Sequence, residues 1–133
     1  MKKVIISVKG LMDEDDAELV TDGEYEFDGG ARFSYEESDL TGMEGTTTSF
    51  SVENGIVSIS RTGTVSMEME FEEGRKHYFV YDTPFGSLSM GVDTQSIRSC
   101  LDENGGSLEV KYLLDLENSM MSRNSFEINI RRA

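Results

Sequence analysis

The sequence predicts an all-β protein, a single antiparallel meander β-barrel of about 8–10 strands spanning residues 1–133. Three observations carry that reading. Alanine, the best helix former, occurs three times, whereas Ser and Thr together occur 25 times. Apolar residues recur with a period of two almost throughout, as half-buried strands require. Short clusters of turn-forming residues separate the alternating runs, so the strands connect as hairpins.

Taken in order, residues 2–9 hold the apolar run Val4-Ile5-Ile6-Ser7-Val8, the first strand. Residues 18–28 set Leu19, Tyr25 and Phe27 on one face against Asp22, Glu24, Glu26 and Asp28, and Asp28-Gly29-Gly30 turns the chain. Strands follow over 31–38, with Phe33 and Tyr35 inward, and over 46–53, with Phe50 and Val52 inward. Asn54-Gly55 supplies the positive φ of a tight turn into 56–62, where Val57, Ile59 and Arg61 share a face. Thr62-Gly63 leads to 64–73, which alternates Val65, Met67, Met69 and Phe71 with Thr64, Ser66, Glu68, Glu70 and Glu72. Glu73-Gly74 leads to 75–83, with His77, Phe79 and Tyr81 in phase. Thr83-Pro84-Phe85-Gly86 reads as a β-turn with proline at its second position. The long segment 86–101 carries Leu88, Met90, Val92, Ile97 and Leu101 inward, with a bend or bulge near Gly91–Asp93. After Asn104-Gly105-Gly106, residues 107–117 place Leu108, Val110, Tyr112, Leu114 and Leu116 against Glu109, Lys111 and Asp115. Residues 120–131 close the series with Phe126, Ile128 and Ile130 inward. So many strands with a single apolar face must curl onto themselves, and the short connections favour a barrel over a Greek-key sandwich.

Charge and cysteine content narrow the function. Twelve Lys and Arg against 26 Asp and Glu leave a net charge of −14, which repels phosphate backbones and anionic lipid surfaces. Neither nucleic acid nor membrane is expected as a partner; a basic protein is. The lone cysteine, Cys100, permits no intrachain disulfide and no thiolate metal centre. Lys2-Lys3 before the short apolar run only imitates a leader, since Lys9 ends the run too soon. A reducing, cytoplasmic setting is the expectation.

Several longer stretches have a family look. Tyr35 to Thr48 (Y-E-E-S-D-L-T-G-M-E-G-T-T-T), Tyr81-Asp82-Thr83-Pro84-Phe85-Gly86, Gly91-Val92-Asp93-Thr94 and Gly105-Gly106-Ser107-Leu108 resemble the YwiB-like family of small bacterial proteins. The likeness runs from Lys2 to Ile128. It implies a lipocalin-like (calycin-type) barrel from low-GC Gram-positive bacteria, and it carries no catalytic residues, because the family has no assigned activity.

The residues themselves offer few chemical constellations. His77 is the only histidine, and a triad would need a nucleophile oriented against it in space, which Cys100 at a strand end does not promise. Asp13-Glu14-Asp15-Asp16 with Glu18 could attract a hard cation diffusely, yet Glu18 stands where an EF-hand loop needs glycine. Glu36, Glu37 and Asp39 precede the loop Thr41-Gly42-Met43-Glu44-Gly45, but neighbouring Glu36 and Glu37 point to opposite faces. Neither a metal nor another cofactor is expected. Arg61 shares the inward parity of Val57 and Ile59, so its guanidinium enters the barrel or its rim, with Glu37 a candidate partner. Met67, Met69 and Met90, from a total of eight methionines, and Tyr81 share that interior.

Two functions from different classes follow. The first is a non-catalytic barrel binding a small apolar or amphipathic ligand, with an acidic or polar head near Arg61 and its body among Met67, Met69, Tyr81 and Met90. Glu37, on the face of Phe33 and Tyr35, is the internal partner that could satisfy Arg61 without a ligand. The second is a filled barrel serving as an interaction or structural module through its acidic surface. Barrel filling separates them, because a small barrel either packs its own side chains inside or holds one small ligand.

Overall fold

The computed structural model describes residues 2–10, 18–37, 44–116 and 120–133. Its strands are β1 (Lys2–Lys9), β2 (Glu18–Phe27), β3 (Ala31–Glu36), β4 (Thr47–Glu53), β5 (Ile56–Thr62), β6 (Met67–Glu72), β7 (Lys76–Thr83), β8 (Gly86–Asp102), β9 (Gly105–Leu116) and β10 (Met120–Arg132). All ten form one sheet in the order β6-β5-β4-β3-β2-β1-β10-β9-β8-β7. The first and last strands pair antiparallel from Val4↔Arg132 to Lys9↔Glu127, so the chain's two ends close the back of the barrel.

The two sheet edges, β6 and β7, are neighbours in sequence, and between them lies a seam. At one end Ser66 and Asp82 exchange both backbone hydrogen bonds at 2.9 Å. At the other the Gly74 N–H donates to the Thr94 carbonyl at 3.1 Å, and the Glu72 N–H donates to Thr94 Oγ1 at 3.2 Å. Beside Thr94 the β8–β9 register shifts between Thr94 and Ser96, and the freed Ile97 N–H donates to the Glu73 carboxylate at 2.9 Å. The barrel is therefore nearly closed, and among the described residues its weak joint is the stretch of β6 and β7 between these two sets of contacts.

Alternation sorts the faces as expected. Leu108, Val110 and Tyr112 are buried while Lys111 faces water, and Met67, Met69 and Phe71 are buried between exposed Glu68 and Glu70. Aromatic rings fill the middle of the barrel: Phe33 stacks on Phe50 at 4.7 Å, and Phe71 meets Tyr112 and Phe126 edge-on at 5.0 and 5.5 Å. Such pairs add ~0.5–1.5 kcal/mol each beyond the area they bury. At the β8–β9 hairpin Gly106 holds φ +133°, where a Cβ would collide with the Cys100 carbonyl, so no other residue fits that turn.

Some details differ from the sequence reading. Phe27 is 42% and Leu88 41% exposed, not inward. Phe27 ends β2 beside the Gly29-Gly30 turn, and Leu88 lies two residues before the first β8–β9 pair among the described residues, Met90↔Leu116. Val4, Ile6 and Val8 of β1 join the core, which their unbroken apolar run had obscured. The sixth strand is shorter than 64–73, and the bulge sits beyond Asp93. Asp115 does lie on the outer face, but Lys76 reaches across β8 to cover it with an ion pair. That hydrogen bond raises the Lys76 ammonium above its ordinary range, against a smaller desolvation penalty. Among the described residues no helix is long and apolar enough to cross a membrane.

Candidate functional site

Register assembles the candidate residues at one end of the barrel. Tyr35 pairs with Thr48, Thr48 with Arg61, and Arg61 with Met67. Extending the Ser66–Asp82 pairing by one residue sets Met67 against Tyr81 across the seam. One layer deeper, Ile59 pairs with Met69 on β6 and Phe79 with Met90 on β7–β8. Alternation turns all of these side chains inward. Residues as distant in sequence as Glu37 and Met90 thus line one region because short antiparallel connections bring their strand ends to the same rim.

Its polar part is a relay centred on Thr48, which is fully buried. The Thr48 hydroxyl donates to Glu37 Oε1 at 2.9 Å, and Arg61 Nε–H donates to Thr48 Oγ1 at 3.3 Å. Arg61 is 3% and Glu37 6% exposed, so opposite charges sit in the core joined through one hydroxyl. Glu37 lies just past the end of β3, with its own N–H donating to the Thr46 carbonyl at 2.8 Å. Its Oε2 is buried and finds no hydrogen-bond partner among the described residues. Tyr35 completes the group: burial pushes its phenol above the usual range, the Glu37 charge adds to the rise, and Arg61 opposes it. An open cleft of about 730 Å³ runs past Tyr35 where β2 and β3 part, with Gly23, Ser34 and Thr47 also in its walls.

Thr48 was missing from the residues singled out in the sequence, although its parity with Phe50 and Val52 marks it as inward. Glu36 and Glu37 split as expected, the first exposed and the second buried. His77 sits in the seam rather than beside a nucleophile, its Nδ1 and Nε2 each 3.7 Å from a carboxylate oxygen of Glu70 and Glu72. Cys100 is exposed further along β8. Asp13-Glu14-Asp15-Asp16, Asp39 and Thr41-Gly42-Met43 lie outside the described residues. Among those described, no group of three or more His, Cys, Asp and Glu side chains is placed to hold a metal ion.

The arrangement can orient and neutralise a polar group at the rim and present thioether and aromatic surface below it. Comparison with known proteins agrees on the scaffold and is silent on chemistry. A family model described as a domain of unknown function (DUF1934) matches residues 4–128. The uncharacterised β-barrel protein YwiB of Bacillus subtilis (strain 168) is 36% identical over 78 residues, which is 59% of this chain and 53% of that one. The matched part thus spans about half the length of this curated relative. The crystal structure of the ywiB protein from Bacillus subtilis superposes with a TM-score of 0.77 at 26% identity, covering 98% of this chain and 89% of the other. With nearly its whole length matched by the family model, the chain belongs to the DUF1934, YwiB-like family of β-barrel proteins.

Proposed function

We propose that this protein is a non-catalytic binding barrel that takes a small amphipathic molecule at its polar rim. The observation that carries the reading is Glu37 Oε2, a buried carboxylate oxygen without a hydrogen-bond partner among the described residues, in the same buried relay as an arginine. Leaving such an acceptor unmet costs on the order of 1–3 kcal/mol, more for a charged group. A head group that donates to Oε2 and accepts from the guanidinium side of the relay would recover that energy. A primary amide or a protonated acid does both, whereas an ionised carboxylate would meet Arg61 but repel Glu37.

The apolar body would lie among Met67, Met69, Tyr81 and Met90. Thioethers adapt their rotamers to irregular shapes, which suits an occupant of variable outline. Aromatic packing through Phe71, Tyr112 and Phe126 limits that occupant to a small one. The single, exposed Cys100 is compatible with a reducing compartment.

Native mass spectrometry of the protein as purified, followed by titration with an environment-sensitive fluorescent fatty amide and fatty acid, tests the proposal. Saturable enhancement is expected, with the amide at least as tight as the acid. The double variant Glu37→Leu/Arg61→Met should weaken the amide by about tenfold or more, ~1.4 kcal/mol. No co-purifying molecule and no saturable response to either probe would leave the filled-barrel interaction module as the better account.

A further inference from the structure

The seam has an outer face with two unlike walls. Ser66 and Asp82 point their N–H and C=O groups at each other, and strand alternation aims those of Glu68 and Val80, then Glu70 and Tyr78, into the same gap. Past the Ser66–Asp82 pair, β6 and β7 form no further ladder among the described residues. The side chains of those four residues stand outward. On the β6 wall Glu68 and Glu70 are both exposed carboxylates. On the β7 wall Tyr78 is 71% and Val80 49% exposed, an apolar pair on an unpaired sheet edge. Between Glu68 and the Tyr78–Val80 wall lies a groove of about 540 Å³ with Met67 and Phe79 also in its lining, and Glu70 follows just beyond it, 3.7 Å from His77 Nδ1. Exposed apolar residues on a free edge are what soluble β-proteins ordinarily avoid.

We propose that this groove docks an extended, basic segment of another protein, laid lengthwise along the seam. In an extended chain the side chains project at right angles to the N–H and C=O groups and alternate left and right. A segment whose backbone faces down into the gap would meet the unladdered N–H and C=O groups of β6 and β7. Its alternate side chains would then fall on the acidic wall and the apolar wall in turn. The occupant selected is therefore an alternating basic and apolar sequence, matched to the local carboxylates and to the chain's net charge of −14. A second copy of this chain carries the same charge and would be repelled. The groove's inner lining includes Arg61 and Met67, but the walls that select the segment, Glu68 on one side and Tyr78 and Val80 on the other, stand outside the relay, so the inference does not rest on the rim reading.

The test is a ¹⁵N-resolved NMR titration with a short peptide of alternating lysine and valine. A control peptide has the same composition, with its lysines and valines in two blocks. The alternating peptide should shift the amides of Glu68, Glu70, Tyr78 and Val80 saturably and bind about tenfold or more tighter than the blocked one. Glu68→Lys/Glu70→Lys and Val80→Lys should each weaken it by a similar factor, while Glu24→Lys on the far side of the barrel should not. Equal binding of the two peptides, shifts spread around the barrel, or affinity unchanged in the seam variants would overturn the proposal. So would a concentration-dependent dimer that moves the same amides without any peptide.

Discussion

At the scale of single residues the informative feature is how the barrel accommodates charge. Arg61 and Glu37 would be prohibitively costly alone in the core, and Thr48 makes them tolerable by bridging them. Thr48→Val keeps the shape but removes the bridge, so it should destabilise by about 2–3 kcal/mol, read as a lower urea midpoint at constant slope. Tyr35 yields a pH prediction. Its folded pKa lies above the free value of 10.0, because burial and then Glu37 disfavour the phenolate. The unfolded chain therefore loses this proton first as pH rises. The contribution is fully present below pH 10 and lost progressively above it. Tyr25 shifts in the same direction, through burial and then Asp102, and adds to the slope. Tyr35→Phe should flatten the alkaline loss of stability, and a slope unchanged by that substitution would show that its phenol does not govern it.

At the scale of elements, stability divides between a sealed back and a thin front. β1 is held on both sides, by β2 and by β10, and buries Val4, Ile6 and Val8. Ile6→Ala should cost about 2–5 kcal/mol, since the side chain is wholly enclosed. The front relies on Ser66–Asp82 and on the contacts of Thr94. Native-state hydrogen exchange should accordingly show fast amides at Glu68, Glu70, Tyr78 and Val80 and slow ones at the paired amides of β1 and β10. Comparable protection in the two regions would mean that the seam is closed in solution. Strand count and order are legible in the sequence because period-two alternation and glycine turns are local signals. The seam and the β1 contribution are not. Whether β6 and β7 form a ladder is set by how the whole sheet closes, which neither alternation nor turn residues encode. In β1 the consecutive Val4, Ile5 and Ile6 hide which parity faces inward.

For the whole molecule, acidity and closure act together. A net charge of −14 on a compact barrel is self-repulsive, so screening should stabilise it. Raising salt from low ionic strength to about 0.15 M shortens the screening length to roughly 8 Å and should raise the urea midpoint. A midpoint that falls instead would mean that surface ion pairs such as Arg32–Glu26 outweigh the repulsion. Much of the rim site was also legible: parity alone turns Arg61, Met67, Met69 and Tyr81 inward and picks Glu37 as a partner. The relay was not. Thr48 carries no charge and reads as an ordinary strand residue, and only the register of β3, β4 and β5 places it between the two ions.

The central claim, that the barrel binds a small amphipathic molecule between this relay and the methionines below it, is tested most directly by methyl NMR. Protein labelled at the methionine methyl carbons would be titrated with a medium-chain fatty amide. The account predicts saturable shifts of the Met67, Met69 and Met90 methyls that disappear in the Glu37→Leu/Arg61→Met variant. Methyl signals at those three residues that stay fixed up to the solubility limit of the amide would contradict it.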